Sequence, residues 1–305
     1  MFVEEYLRDL RQDRFSPAAL LLYVRRVGAR VRDQMVANPA AVRSVWNVAL
    51  GFFAATFLAA VAMALVYDRH LAYDFFLHTA LWIVPAFAFV TLYLELLRDQ
   101  EGFRLSALNI PVTLTLLRIV LVPGLALFLL DEHYQAALIV FGLAALSDIA
   151  DGWLARRWKQ TTRLGAVLDP LVDIVFNLAL FFALGASKLL PMWVFGVAAA
   201  RYGVLLVGGA YLYVFVGPVR IYPTLFGRLT GVVMAGLVAL LILLHAVGGH
   251  LRERLSSLTV IALGVMLSAT VIQVLVLGWY NLRVMSGAAA EARGRVVGDV
   301  RWGSP

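Results

Sequence analysis

The chain has 305 residues, 62% of them hydrophobic and only 15% charged, whereas a soluble domain is nearer half apolar and a quarter charged. That balance excludes disorder and a soluble globule and leaves a polytopic, all-α membrane protein. The formal charge is +7 and cysteine is absent, which excludes disulfides, thiolate metal sites and cysteine nucleophiles.

Residues 1–16 are polar and of mixed charge, with no apolar core leading to a small-residue cleavage site, so no secretory signal is expected. Ser16-Pro17 predicts a helix start, Ser as N-cap and Pro at the first helical position. Leu20, Val24, Val27, Val31 and Met35 follow at helical spacing, with Arg25, Arg26, Arg30 and Arg32 largely off that stripe. Residues 1–44 therefore read as a cytosolic, arginine-rich helical segment lying on the anionic leaflet, outside any site.

Eight stretches are long and apolar enough to cross a bilayer: 45–66, 75–97, 110–130, 134–155, 166–187, 190–216, 224–247 and 257–280. Residues 45–108 are expected to be two additional spans, 109–285 a six-helix core, and 286–305 a disordered cytosolic tail. With eight spans both termini share a side. That side holds the arginines before the first span, Arg98 and Arg104, Arg156, Arg157, Lys159 and Arg163, Arg220 and Arg228, and the tail arginines. The other side holds only Arg69, Lys188, Arg252 and Arg254. The positive-inside rule then puts both termini in the cytoplasm, and the chain in a cytoplasmic (inner) membrane as a multi-pass protein. Arg118 and Arg201 fall inside spans, where a charge is costly and marks function.

Four acidic residues also fall at span ends around one short cytoplasmic connection. Asp148 and Asp151 are spaced i, i+3 near the end of one helix, and Asp169 and Asp173 i, i+4 near the start of the next. Each spacing puts its pair on one helical face, and an antiparallel hairpin would let the pairs face each other. Four clustered carboxylates need neutralising, by protonation or by divalent cations. Oxygen ligands without His or Cys suit Mg²⁺, Mn²⁺ or Ca²⁺, and four carboxylates suit one or two ions. A proton or ion pathway with an acidic gate is the alternative, but transport sites sit nearer the midplane. The intervening residues fit a nucleotide diphosphate. Gly152 lets a ligand approach the backbone, Ala155 keeps that face open, Arg156 can clamp a phosphate, and Gly165 permits tight packing. Pro170 is tolerable near a helix start.

Written out, Asp148-x2-Asp151-Gly152-x2-Ala155-Arg156-x8-Gly165-x3-Asp169-x3-Asp173 resembles the complete signature of the CDP-alcohol phosphotransferase family. The likeness covers residues 109–285. Asn109-Ile110-Pro111 through Thr115 and Arg118, and the run Ala155 to Pro170, are most similar to the family's bacterial phosphatidylglycerophosphate synthase branch. The resemblance implies a six-helix membrane enzyme that uses two divalent ions, Mg²⁺ or Mn²⁺, to transfer a phosphatidyl group with release of CMP. The donor would be CDP-diacylglycerol and the acceptor a phosphorylated polyol, sn-glycerol 3-phosphate first. Another acceptor or donor within the family is the alternative.

The likeness assigns Asp148, Asp151, Asp169 and Asp173 as metal ligands, with Asp173 also the general base. Gly152, Ala155, Arg156, Gly165, Asn109, Thr115 and Arg118 would bind the CDP donor. Arg201, Arg220 and Arg228 would bind the acceptor phosphate. Membrane lipids are expected partners, nucleic acid is not, and a homodimer is left open. The chain departs from that branch at Ile174 where Lys is usual, at Tyr202 where Glu is usual, and in the run Gly227-Arg228-Leu229-Thr230-Gly231 where Gly-Lys-x-Lys-Thr is usual. These bear on the acceptor and leave the metal and CMP positions untouched.

Overall fold

The computed structural model describes residues 16–215, 225–249 and 252–300, with side chains outside 209–215, 225–228, 277 and 280–300. The described residues are mostly helical and contain no strand beyond one isolated antiparallel bridge. Their helices are α1 Pro17–Ala37, α2 Pro39–Val66, α3 Arg69–Leu92, α4 Ile110–Leu130, α5 Tyr134–Arg157, α6 Arg163–Ala186, α7 Met192–Phe215, α8 Leu225–Val247 and α9 Arg252–Val300. Seven of them are long and apolar enough to cross a membrane, and the described part of α7 adds a shorter apolar helix, Met192–Gly208, inside the expected 190–216 span. The chain is a multi-pass membrane protein.

Caps set the helix starts. Ser16 Oγ accepts from the Ala19 amide, as its place before Pro17 predicts. Asn38 caps α2, Asp68 caps α3, Asn109 caps α4 and Thr162 caps α6, each accepting a backbone N–H three residues on. Two expected boundaries need correction. The second span starts at Arg69, because Asp68 offers its carboxylate to the Leu71 amide at 2.9 Å, and it ends at Leu92, with a 3₁₀ turn over Leu94–Leu96. The tail expected to be disordered from residue 286 continues α9 to Val300.

Two compact units result, one of α1 to α6 with His245–Gly248, the other of Leu190–Leu244 with the chain from Gly249 onward. In the first unit α4 is the most buried of the spans, and α3, α5 and α6 all pack on it. A Cβ on Gly124 of α4 would lie 2.7 Å from the Phe75 ring of α3, a ring that stacks on Phe128 with centroids 5.6 Å apart. Gly124→Ala should therefore force that stack apart. About 1–3 kcal/mol of stability is expected to be lost, read as a lower Tm in detergent with α4–α6 chemistry otherwise retained. In the second unit α7 and α9 pack together, and Gly264 makes room for the Trp193 ring, which a Cβ there would meet at 2.6 Å.

Candidate active site

The four aspartates come together, but not by the route their spacing suggests. α5 and α6 pack chiefly on α4 rather than on each other. The two carboxylate pairs therefore face one another across α4, which inserts Thr115 and Arg118 between them. Arg118 is 3% exposed. Its Nη2 donates to Asp148 Oδ1 at 2.8 Å and to Asp151 Oδ2 at 2.6 Å, and its Nη1 donates to Asp173. Thr115 Oγ1 lies 3.1 Å from Asp151 Oδ2, 2.9 Å from Asp169 Oδ1 and 3.2 Å from the Pro111 carbonyl. The mid-span arginine thus finds the anionic partners its depth demands.

The charges do not close. Three of the four carboxylates share one guanidinium, and the Thr115 hydroxyl has a single proton for three acceptor oxygens. Two carboxylate oxygens facing one hydroxyl leave at least one contact between lone pairs, which an additional cation would relieve. The donor set is all hard oxygen, which fits Mg²⁺ or Mn²⁺. Among the described residues no group of three or more acidic or His side chains already stands in the arrangement of a bound ion. Arg118 holds the point where they converge.

Exposure is graded across the cluster. The Asp151 side chain is 9% exposed, while those of Asp148 and Asp173 are 57% and 50% exposed. Asp151 is the floor and the other two line the opening. Beside it lies a pocket of about 140 Å³, walled by Thr115, Asp151, Gly152, Ala155, Gly165 and Asp169 together with Pro111, Val112, Gln160, Thr161, Thr162 and Ala166. Gly152 lies beneath the Arg156 guanidinium, which a Cβ would meet at 3.4 Å, and Arg156 is exposed at the rim. Gly165 brings α6 close to α4: a Cβ there would be 3.2 Å from Thr162 Oγ1 and 3.4 Å from Val112 Cγ2. Pro170 lies inside α6, not at its start. It lacks the N–H that the Ala166 carbonyl would accept, so this pocket-lining carbonyl has no helical donor.

Asn109 stands next to this wall as a clasp. Its Oδ1 accepts from the Val112 amide at 3.2 Å and its Nδ2 donates to the Gln160 carbonyl at 2.5 Å. Gln160, Thr161 and Thr162 were not among the sequence-assigned site residues, and the only signal for them was a polar run between two helix ends. Arg201 belongs to the second unit. Its Nη1 donates to Tyr202 Oη at 3.3 Å, its guanidinium lies 5.0 Å from the Tyr202 ring centroid, and its buried Nε has no hydrogen-bond partner. Arg220 lies outside the described residues, as does the side chain of Arg228.

Residues 108–285 match the family model described as CDP-alcohol phosphatidyltransferase. A CDP-diacylglycerol–glycerol-3-phosphate 3-phosphatidyltransferase of Aquifex aeolicus is 37% identical over 111 residues, 34% of this chain and 60% of that one. An enzyme of the same name from Sodalis glossinidius is 46% identical over 90 residues, 28% of this chain and 49% of its own. A rat cardiolipin synthase (CMP-forming) is 42% identical over 85 residues, 28% of each. The chain spans about half the length of the bacterial relatives it matches. The family model spans more than half of this chain and takes in every carboxylate of the cluster, α4 and the pocket wall: the chain belongs to the CDP-alcohol phosphatidyltransferase family.

Proposed function

We propose that the protein transfers a phosphatidyl group from CDP-diacylglycerol to the hydroxyl of a small phosphorylated polyol, sn-glycerol 3-phosphate first, and releases CMP. The observation that carries this reading is the convergence of four carboxylates on Thr115 and Arg118 beside a pocket lined by small residues. The names of the bacterial relatives supply the donor and acceptor.

Asp148, Asp151, Asp169 and Asp173 would hold one or two Mg²⁺ or Mn²⁺ ions, which supply charge neutralisation at the donor's diphosphate. Gly152, Ala155 and Gly165 admit the nucleotide close to the backbone, and Arg156 at the rim is free to meet a phosphate oxygen. The acceptor oxygen forms a bond to the phosphorus bearing the lipid, the bond from that phosphorus to the CMP oxygen breaks, and CMP leaves with the electron pair. Asp173 takes the hydroxyl proton, consistent with its place at the opening of the cluster. The distribution of arginines supports a cytoplasmic placement of this end of the helices and of both termini, and the bacterial relatives support an inner membrane.

Arg201 is the proposed acceptor-phosphate ligand, on the strength of its buried, unpartnered Nε. Arg201→Ala is expected to raise the acceptor KM roughly 10-fold or more, as hydrogen bonds to a charged group are worth about 1.5–3 kcal/mol, and to leave the donor KM nearly unchanged. The test of function is product identification. Purified protein with CDP-diacylglycerol and Mn²⁺ is offered glycerol 3-phosphate, an inositol phosphate and a neutral alcohol in turn. Faster turnover of the neutral alcohol than of either phosphate would overturn the acceptor assignment.

A further inference from the structure

Residues 93–108 join α3 to α4 and contribute no side chain to the pocket, yet they are more tightly built than a linker needs to be. Leu94 and Leu97 are 4% and 1% exposed. The chain doubles back at Gly102, whose φ of +94° favours glycine. Arg98 pairs with Arg104 as an isolated antiparallel bridge, and the Leu105 amide donates to the Leu97 carbonyl at 3.0 Å.

This fold-back is gripped from two sides. From the N-terminal segment, Arg30 of α1 donates through Nε and Nη2 to both carboxylate oxygens of Glu95, at 3.3 and 3.1 Å, and Asn38 Nδ2 donates to the Leu105 carbonyl at 3.0 Å. On the site side, the Arg98 carbonyl accepts from the Arg163 amide at 3.0 Å. Arg163 is the first residue of α6, and the first N–H groups of a helix have no intrahelical partner. Thr162 satisfies the Gly165 amide, so the Arg98 carbonyl acts as a second cap on the same turn. That turn and the preceding loop carry Gln160, Thr161, Thr162 and Gly165, which wall the pocket, and lead into Asp169 and Asp173.

We propose that residues 94–105, held by the Arg30–Glu95 pair, are a positioning element for the first turn of α6 and its entry loop. On this reading the arginine-rich N-terminal helix sets the shape of the nucleotide pocket without touching its ligand. Glu95 and Arg30 are positioning residues. For its activity readout the inference rests on the pocket binding the CDP donor; its structural part does not.

Hydrogen–deuterium exchange on the full-length protein in nanodiscs tests it, with Glu95→Gln and the charge-swapped pair Arg30→Glu/Glu95→Arg. Glu95→Gln should speed exchange in peptides covering 158–166 about three- to fivefold, the scale of a partly exposed ion pair. It should also raise the donor KM by a similar factor with kcat retained, and the swap should restore both. Unchanged exchange over 158–166 in Glu95→Gln overturns the proposal. So does a uniform increase across α2–α4, or failure of the swap to restore protection. If the wild-type protein releases no CMP with any acceptor, the proposed function falls, and the exchange pattern still decides the positioning role.

Discussion

Asp148→Asn and Asp169→Asn are each expected to lower CMP release at least ~10²-fold, the scale of losing several kcal/mol of transition-state charge stabilisation. Excess EDTA should abolish release in the unaltered protein. The two residues approach the cluster from opposite sides, Asp148 on α5 through Arg118 and Asp169 on α6 through Thr115. A common loss from both would show that the two helices serve one centre. Each substitution removes a negative charge from a cluster that already has too many, so folding should survive. Circular dichroism and detergent Tm near the wild-type values would confirm that the loss is chemical. Full CMP release in excess EDTA would rule the metal requirement out.

The second large effect is on stability. Arg118 is the one cation among the described residues in contact with Asp148, Asp151 and Asp173, and it is almost wholly buried. Arg118→Gln leaves those carboxylates facing one another. Breaking a buried charge pair by removing one partner costs about 3–5 kcal/mol, so a marked fall in Tm is expected in EDTA. The fall should be partly reversed by saturating Mn²⁺, since an ion held by the same carboxylates supplies the missing positive charge and stabilises by mass action. A Tm that drops equally with and without Mn²⁺ would mean that the carboxylates do not hold the ion. Lys at this position should rescue only in part, because a single ammonium cannot reproduce the two-nitrogen fork that reaches both sides of the cluster.

How much of this could be read from the sequence depends on whether a feature is local. The spans are local: their apolar length survives any detail of packing, and the helices fall close to the expected stretches. The carboxylate pairs are local too, because i, i+3 and i, i+4 spacing fixes a shared face before any tertiary contact forms. Ser16 as a cap follows from the proline just after it. What lies between the pairs is not local. Arg118 and Asp173 are 55 residues apart in sequence, and no periodicity says that α4 is inserted between α5 and α6. Arg118 could be recognised as needing an anion, but not as the common partner of three aspartates. Gln160 to Thr162 carry no signal of a site in the sequence, because short polar loops usually carry no more than turn chemistry. The grip of residues 94–105 on α6 runs through a backbone carbonyl, a group that every residue carries and no motif records.

We propose that Asp148, Asp151, Asp169 and Asp173, which would hold a divalent ion, form the centre at which the diphosphate of a CDP-linked lipid is cleaved. This is tested most directly by measuring CMP released from CDP-diacylglycerol by the purified protein as Mn²⁺ is titrated, with and without glycerol 3-phosphate. CMP release is expected to be absent without metal, saturable and acceptor-dependent with it, and lost in Asp169→Asn. Release that is indifferent to Mn²⁺, or unchanged in Asp169→Asn, would contradict it.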